Sequence, residues 1–445
     1  MEIKDIIAET EKINKEYHYF NAIDKEPLKG TGRLENIAVS IKDSICVRGL
    51  ESRAGSGILE GYKPVFDATV VKKIKEAGGI IIGKTAQDAF GFGSFSTNVG
   101  KGLKVPLNPI DKERTCGGSS GGAAGFTKKA NFKHIAIGQS TGGSIVCPAS
   151  FCGVVGLCPT YGRVSRYGLM DYANSLDKIG PIAKTVEEAA LMLEIIAGFD
   201  ENESTTLDTP VPRYSDFLDK DVSGLKIGII KEAFGEGIDE EVKNKVENAI
   251  GCIEGQGAKV ETVSLPLTQK YGLPAYYLLA MCEASTNLAR YCGMRYGAAE
   301  QVKGSFNEYF SKVRSAYFES ESKRRIMLGT FTRMAGYRDA YYIKAAKIRT
   351  KIIEEYKIAF KKFDLLASPT MPFVAPRFDE IKKLTPLQNF MADILTVGPN
   401  LAGLPHISIP IGVNSGKMPV GLMLIADHLK EETLIQAGSH LESVK

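Results

Sequence analysis

The chain has 445 residues, of which 44% are hydrophobic and 24% charged, and its formal net charge is +4. This composition is typical of a globular protein that is long enough to bury a large core. The charge is too small and too evenly spread for this chain to bind nucleic acid by itself, so we expect that another protein would hold any nucleic acid involved.

The N-terminal segment, the apolar runs and the cysteines indicate in which compartment the protein works. The N-terminal segment MEIKDIIAETEKINKEY is charged and has no apolar core of a secretory signal. No apolar run reaches the roughly 18 to 20 residues of a membrane span. We therefore expect a soluble, intracellular protein, in a cytoplasm or an organellar matrix. Cys147, Cys152 and Cys158 lack the paired spacing of a zinc site, so free thiols and no metal are expected.

Lys42 is the first residue that stands out along the chain. It interrupts the apolar, strand-like run IAVSIKDSI, residues 37–45. A lysine on a strand is usually a solvated edge residue. A buried lysine would instead have its pKa lowered from about 10.4 toward neutrality and could serve as a general base. The sequence leaves both alternatives open.

The stretch GGIIIGKT, residues 78–85, matches the pattern of a phosphate-binding loop letter for letter. Such a loop follows a strand, opens a helix and has a bare backbone interior. Here an amphipathic helix pattern, residues 67–77, precedes the glycines, and the interior is the apolar strand 80–82. The context therefore predicts a helix, a turn and a strand, and no ATP site.

Two glycine runs that contain serine follow. CGGSSGG covers residues 116–122 and STGGSI covers residues 140–145. Either run alone is typical of a tight turn. A serine after T-G-G can also lie where successive backbone N–H groups converge on an oxyanion. The five histidines stand in no recognisable catalytic pattern, so a lysine is the alternative base for such a serine.

The second half of the chain continues the alternation of helices and strands. Thr185 and Glu188 have the spacing of a capping box, at the start of a helix that runs to Gly198. Residues 200–212 are the best candidate for a surface linker. The segments 225–230, 240–256 and 258–263 predict a βαβ unit, and residues 274–363 are charged, tyrosine-rich and helix-like. The pattern predicts an α/β fold with a mixed, mostly parallel sheet covered by helices on both faces.

These motifs together resemble the amidase signature family. The resemblance rests on Lys42 in VSIKDSI, Ser119 in GGSSGG and Ser144 in TGGSI. It continues in SLDKIGPI (175–182), KRRIMLGTF (323–331), GYRDAYY (336–342), SPTMP (368–372) and NLAGLPHISIP (400–410). The similarity is greatest to the glutaminase subunits of tRNA-dependent amidotransferases. It implies one amidase-signature domain over residues 1–445, with a catalytic core at about 30–200 and a helical substrate-side region at about 264–365.

The resemblance also implies a set of catalytic roles. Ser144 would attack the side-chain carboxamide of glutamine. Ser119, which in this family follows a cis peptide bond, would take the proton from Ser144 and pass it to neutral Lys42. The oxyanion would be held by the backbone amides of Thr141, Gly142, Gly143 and Ser144.

Three further positions would bind the amino-acid end of glutamine by similarity: Tyr277 in AYYLLA, Arg325 in KRRIML and Asp393 in MADILT. The planar fork of an arginine suits the substrate carboxylate, and an aspartate suits the ammonium. The neighbouring Tyr276 and Arg324 are the alternatives at the first two positions.

The chain departs from the family pattern around the nucleophile. The family usually reads D-T-G-G-S-I-R, whereas this chain has Ser140 and Val146 at the two ends of that motif. Losing one partner of a buried charge pair would cost about 3 to 5 kcal/mol, but losing both can be nearly neutral. Cys116 stands where a proline is usual, and Ala89 where an acidic residue is expected near the route of ammonia. The Lys-Ser-Ser set is retained.

The implied function needs partners. No cofactor is expected in this chain, and ATP and Mg would bind only to a B-type subunit that also holds the tRNA. A small C-type subunit would complete a complex that amidates Asp-tRNA(Asn), Glu-tRNA(Gln) or both. A stand-alone amidase for another small amide is the first alternative, which the Tyr277, Arg325 and Asp393 set disfavours. A catalytically impaired scaffold subunit is the second, which the retained triad disfavours.

Overall fold

Eleven strands form one continuous sheet in the computed structural model, which describes residues 2–443. The strands are β1 (Phe20–Ile23), β2 (Ala38–Lys42), β3 (Ile80–Thr85), β4 (His134–Ser140), β5 (Val155–Cys158), β6 (Lys178–Ala183), β7 (Lys226–Ile230), β8 (Lys259–Val263), β9 (Leu365–Pro369), β10 (His406–Val413) and β11 (Pro419–Ala426). Their spatial order is β1-β3-β2-β4-β6-β5-β10-β11-β9-β7-β8. Sequence-distant strands are therefore neighbours across most of the sheet.

Helices cover both faces of this sheet. They are α1 (Ile3–Tyr17), α2 (Thr69–Glu76), α3 (Gly121–Lys129), α4 (Val146–Cys152), α5 (Val186–Ile196), α6 (Glu240–Gly255), α7 (Pro266–Asn287), α8 (Phe306–Tyr317), α9 (Ser320–Arg333), α10 (Lys344–Ala359), α11 (Phe378–Ile381), α12 (Pro386–Met391), α13 (Val397–Ala402) and α14 (Glu431–Ser443). Alternate residues of β11 point to opposite faces. Met423 belongs to an apolar cluster with α3, α4, α7 and α10, and Leu424 to a second cluster with α2, α5, α6 and α14.

The mixed sheet covered by helices that the sequence predicted is confirmed. Parallel pairs occur in two three-stranded runs, β3-β2-β4 and β9-β7-β8. The other six pairings among the described strands are antiparallel. The parallel share is smaller than the sequence pattern indicated, because links such as the turn from β10 to β11 are too short for a crossover.

Several predicted elements occur close to their expected bounds. The βαβ unit is β7, α6 and β8, with the two strands parallel. The helix at 67–77 is α2, and the strand that follows runs on through Lys84 to Thr85, so the GKT letters are part of β3. At α5, Thr185 Oγ1 accepts from the backbone N–H of Glu188, but the Glu188 carboxylate accepts from Lys184 instead of Thr185. The two capping hydrogen bonds therefore span residues 184–188, whereas those of a capping box would span residues 185–188.

The segment 200–212 differs from the expected linker. It contains no helix or strand, but it is fastened to the body of the protein. The hydroxyls of Thr69 and Ser165 each donate to Asp200 Oδ2 at 2.6 Å. The Arg163 guanidinium donates to the carbonyls of Thr209 and Pro210. The segment is thus a fixed part of the surface, because its polar groups are bonded to the core.

The chain between β8 and β9 carries α7, α8, α9 and α10. Helices α7 and α9 pack so closely that a Cβ on Gly329 would lie 1.9 Å from the carbonyl oxygen of Met281. Within residues 2–443, no helix has the length and apolar character needed to cross a membrane.

Candidate active site

Lys42 ends strand β2 at the edge where the parallel strand β4 also ends. It has no exposed surface, which decides between the two alternatives that the sequence left open. Its Nζ lies 2.6 Å from Ser119 Oγ, 2.8 Å from the carbonyl oxygen of Gln139 and 3.0 Å from Gln139 Oε1. Burial lowers the pKa of Lys42 to about 7, although the carboxylates of Asp88 and Asp177 oppose this shift. A large fraction of the amine is therefore neutral near pH 7.

Ser119 follows a cis peptide bond from Gly118, as the family resemblance implies. The loop that carries it packs against the buried carboxylate of Asp88. A Cβ on Gly118 would lie 2.2 Å from Asp88 Oδ2, so only glycine fits there. The Asp88 carboxylate is held in turn by the backbone N–H groups of Ser96 and Asn98, both at 2.9 Å. These contacts fix the position from which Ser119 meets Lys42.

The two glycines before Ser144 are packed against other side chains, which occupy the space that a Cβ atom would need. A Cβ on Gly142 would lie 2.7 Å from the hydroxyl oxygen of Tyr276, and one on Gly143 would lie 2.5 Å from Thr396 Oγ1. The carbonyl of Ser144 accepts from the backbone N–H of Ser120 at 3.2 Å, which ties the two serine-containing loops together. Among residues 2–443, no group accepts a hydrogen bond from the backbone amides of 141–144.

Asp177 anchors the same loop and was not singled out from the sequence. Its Oδ1 accepts from the Thr141 hydroxyl at 2.6 Å and from Gln139 Nε2 at 3.0 Å. Its Oδ2 accepts from the backbone N–H groups of Tyr172 and Ala173. Burial raises the pKa of Asp177 to about 7, and the Thr141 hydrogen bond opposes that shift. The signal available in the sequence was a polar residue inside the quoted SLDKIGPI stretch.

The four departures from the family pattern are all buried: Ala89, Cys116, Ser140 and Val146. Val146 begins α4 and belongs to an apolar cluster, so its surroundings suit an uncharged side chain. The Ser140 hydroxyl lies beside the Cys158 thiol. Neither end of the motif therefore leaves a buried charge without a partner.

The three residues expected to bind glutamine come together although they lie on different elements. The Tyr277 hydroxyl donates to Asp393 Oδ2 at 2.7 Å. The Ser94 hydroxyl donates to the other oxygen, Oδ1, also at 2.7 Å, and the sequence had not indicated Ser94. The Arg325 guanidinium lies 5.3 Å from the Tyr277 ring centre. Tyr277, Ser94 and Arg325 line a cavity of about 280 Å³.

The neighbouring alternatives occupy different positions. The Arg325 side chain is 4% exposed and donates to the Tyr172 hydroxyl and to Glu321. The Arg324 side chain also lines the cavity, but it is 41% exposed and pairs with Glu321 at the surface. Tyr276 lies behind Gly142 and does not line the cavity. The geometry therefore groups Tyr277 and Arg325 with Asp393.

Comparisons with known proteins show which family this chain resembles. The amidase family model matches residues 9–435. The chain is 48% identical over 410 residues to the A-type subunit of glutamyl-tRNA(Gln) amidotransferase from Picosynechococcus sp., covering 92% of this chain and 84% of the relative. It is 49% identical over 422 residues to that of Carboxydothermus hydrogenoformans, covering 94% and 86%. The crystal structure of the corresponding A-type subunit from Thermotoga maritima is similar with a TM-score of 0.82 and 39% identity, over 97% of this chain and 90% of that one.

Proposed function

We propose, because this chain belongs to the amidase family, that it hydrolyses glutamine as the glutaminase subunit of a tRNA-dependent amidotransferase. The observation that carries the proposal is the buried Lys42 amine, 2.6 Å from Ser119 Oγ and with a pKa of about 7. A neutral amine at this place can act as a general base for a serine, and the sequence offers no histidine in a catalytic pattern.

The proposed reaction begins with Ser144 Oγ attacking the side-chain carboxamide carbon of glutamine. Ser119 takes the proton from Ser144 and passes its own proton to Lys42. The oxyanion accepts hydrogen bonds from the free backbone amides of 141–144, each worth about 3 kcal/mol in acyl transfer. The proton returns by the same route to the leaving nitrogen, the C–N bond breaks, and ammonia leaves a glutamyl ester on Ser144. Water then attacks this ester, releasing glutamate and restoring the serine.

The glutamine specificity is proposed to come from Arg325, which lines the cavity, and from Asp393, which is hydrogen-bonded to two of the lining residues. Arg325 would pair with the substrate carboxylate, and Asp393 with the substrate ammonium. Tyr277 and Ser94 support this role for Asp393, because each donates to one of its oxygens and so fixes the plane of the carboxylate. A simple amide without the amino-acid end would forgo both charged contacts.

The ammonia is proposed to pass to a partner. The named relatives are A-type subunits of glutamyl-tRNA(Gln) amidotransferases, which supports assembly with a B-type subunit that binds tRNA, ATP and Mg and with a small C-type subunit. The product would be Gln-tRNA, Asn-tRNA or both, and the complex would work in the cytoplasm or an organellar matrix.

The test is ammonia release from glutamine by the purified chain, alone and after mixing with B-type and C-type subunits. Asparagine and a simple aliphatic amide serve as controls. We expect glutamine-selective release that rises on assembly, and its loss in Ser144→Ala with the fold retained. Rapid turnover of the aliphatic amide by the lone chain would indicate a stand-alone amidase instead. Silence under every condition would indicate an impaired scaffold subunit.

A further inference from the structure

Gln139, the residue before Ser140 in β4, contacts both the base and the loop of the candidate active site. Its backbone carbonyl oxygen and its side-chain Oε1 accept from Lys42 Nζ, at 2.8 and 3.0 Å. Its Nε2 donates to Thr141 Oγ1 at 2.8 Å and to Asp177 Oδ1 at 3.0 Å. The residue is buried. One carboxamide therefore connects the lysine to the residues that hold the glycine loop.

The orientation of this carboxamide follows from its partners. Both oxygens of Asp177 already accept hydrogen bonds, from the Thr141 hydroxyl and from backbone N–H groups. Because the Asp177 carboxylate accepts hydrogen bonds, the Gln139 atom that faces it must be a donor, which is the amide nitrogen. The amide oxygen then faces Lys42. Reversal would place two acceptors against each other at Asp177 and two donors against each other at Lys42.

This orientation leaves the Lys42 amine one direction for its lone pair. A neutral amine has two N–H bonds and one lone pair. The two Gln139 oxygens can only accept, so they take the two N–H bonds. Ser119 Oγ, at 2.6 Å, is the third neighbour and carries a hydrogen that it can donate. The lone pair therefore points at the proton that the base must remove.

We propose that Gln139 is a positioning residue that turns the Lys42 amine toward Ser119. The proposal rests on the proposed function, since it assigns a purpose to the base of that reaction. Without Gln139 the amine could rotate and present an N–H bond to Ser119, a geometry in which no proton can be accepted. The same carboxamide also stabilises the protonated amine that forms during turnover, because its oxygen accepts from Nζ in both states.

The test compares two variants at this position in the full-length protein. Gln139→Met keeps the length of the side chain but removes the acceptor. Gln139→Glu keeps an oxygen for Lys42 and places its second carboxyl oxygen against Asp177 Oδ1, so the two carboxyl groups hold one proton between them. The readout is the pH dependence of Ser144 labelling by a fluorophosphonate probe, which requires an activated serine but no glutamine. It remains informative if the protein turns out to act on another amide, so failure of the glutaminase proposal and failure of this one are distinguishable.

We expect Gln139→Met to label at least about tenfold more slowly and with a midpoint about one pH unit lower, because the ammonium loses an acceptor. Gln139→Glu should move the midpoint up, since the carboxyl pair that it forms with Asp177 carries one negative charge, which favours the charged amine. Asp88 and Asp177 are the other charged groups that act on Lys42, and both are retained in these variants. A purely structural residue would not shift the midpoint in opposite directions.

The matched control is Gln87→Met. Gln87 is also a buried carboxamide, and it accepts from the Ser44 backbone N–H and donates to the Asp88 carbonyl. Within the described residues it makes no hydrogen bond to Lys42. The pH midpoint of Ser144 labelling in Gln87→Met should equal that of the unmodified protein. Unchanged midpoints in both Gln139 variants, or an equal shift in the control, would overturn the proposal. If Gln139→Met fails to fold by circular dichroism, Gln139→Leu takes its place, with the same expected slower labelling and lower midpoint, because it also lacks an acceptor.

Discussion

Lys42 is a residue whose surroundings alter its chemistry at the scale of a single side chain. A lysine in water is protonated at neutral pH and cannot accept a proton. Here burial removes the hydration of the ammonium and lowers its pKa to about 7. The same side chain keeps three polar neighbours, so the neutral amine is held in place as well as favoured.

This pKa predicts the pH dependence of the reaction. Because only the neutral amine has a lone pair, kcat/KM for glutamine should rise with pH through a midpoint of about 7 and level off above it. The measurement is kcat/KM from about pH 5.5 to about pH 9 at constant ionic strength. A rate that stays constant across this range would contradict Lys42 as the base.

Arg325 makes a prediction about specificity at the same scale. Arg325→Gln should raise the KM for glutamine by about 30-fold or more, the loss expected for a charge-assisted contact of about 2 kcal/mol or more. The rate with an aliphatic amide that has no carboxylate should change little. Arg333→Gln is the control, because Arg333 ends the same helix and donates to Ser285 instead of lining the cavity. Equal losses on both substrates would refute the role of Arg325.

At the scale of secondary-structure elements, helices α7 and α9 form one wall of the cavity. Tyr277 lies on α7 and Arg325 on α9, so the distance between the two helices sets the width of the site. Gly329 lies one turn after Arg325 on the same face of α9, and the carbonyl of Met281 in α7 lies where its side chain would be. The absence of a side chain at Gly329 is what permits the close approach.

Gly329→Ala tests this packing. The new methyl group must push α9 away from α7, which we expect to cost about 1 to 3 kcal/mol of unfolding free energy and to raise the KM for glutamine. Gly251→Ala in α6 is the matched control, since a Cβ there meets nothing within 4 Å. It should be neutral or stabilise the protein by up to about 1 kcal/mol, as alanine favours a helix over glycine. Urea unfolding and glutamine kinetics measure the two effects. A Gly329→Ala protein as stable as the Gly251→Ala protein would show that the helices are not in contact there.

At the scale of the whole molecule, the site draws on nearly the full length of the chain. Lys42 comes from the second strand, Ser119 and Ser144 from the loops beside β4, Arg325 from the helical region and Asp393 from the segment after it. The sheet order explains how they meet, because β2 and β4 are neighbours and end at one edge. Stability of the whole fold therefore supports the site as much as any local contact.

One buried histidine, His134, makes the free energy of unfolding depend on pH. His134 is fully buried between the hydroxyls of Ser40 and Thr127, and burial lowers its pKa to about 3. In the unfolded chain a histidine titrates near pH 6.5, so below that value the unfolded state binds a proton that the folded state does not. The free energy of unfolding should consequently fall as the pH falls.

The expected slope from His134 is about 1.4 kcal/mol per pH unit between about pH 6 and about pH 4. His134→Gln removes this titration, so its free energy of unfolding should depend less on pH by that amount. Groups common to both proteins, including Asp88 and Asp177, cancel in the difference. Urea unfolding of both proteins at the two pH values is the measurement. Parallel pH dependences would mean that His134 is protonated in the folded state.

Local patterns in the sequence determined much of the fold and the candidates for catalysis. The alternation of helix and strand spacing gave the α/β class, and the βαβ unit followed from residues close together in the chain, which form β7, α6 and β8. The motifs around Lys42, Ser119 and Ser144 indicated the family, because each motif is a short run whose residue types suffice for its identification. The family model match to residues 9–435 bears out that resemblance.

Only the tertiary structure decided which side chains are buried and what they touch. The Lys42 amine has no exposed surface because residues far along the chain, such as Gln139, 97 residues away, contact it. Tyr277 and Asp393 are hydrogen-bonded across 116 residues, and Gln139, Asp177 and Ser94 acquire their contacts in the same way. Burial and pKa depend on atoms brought together by long-range packing, and a linear pattern of residue types contains no record of those distances.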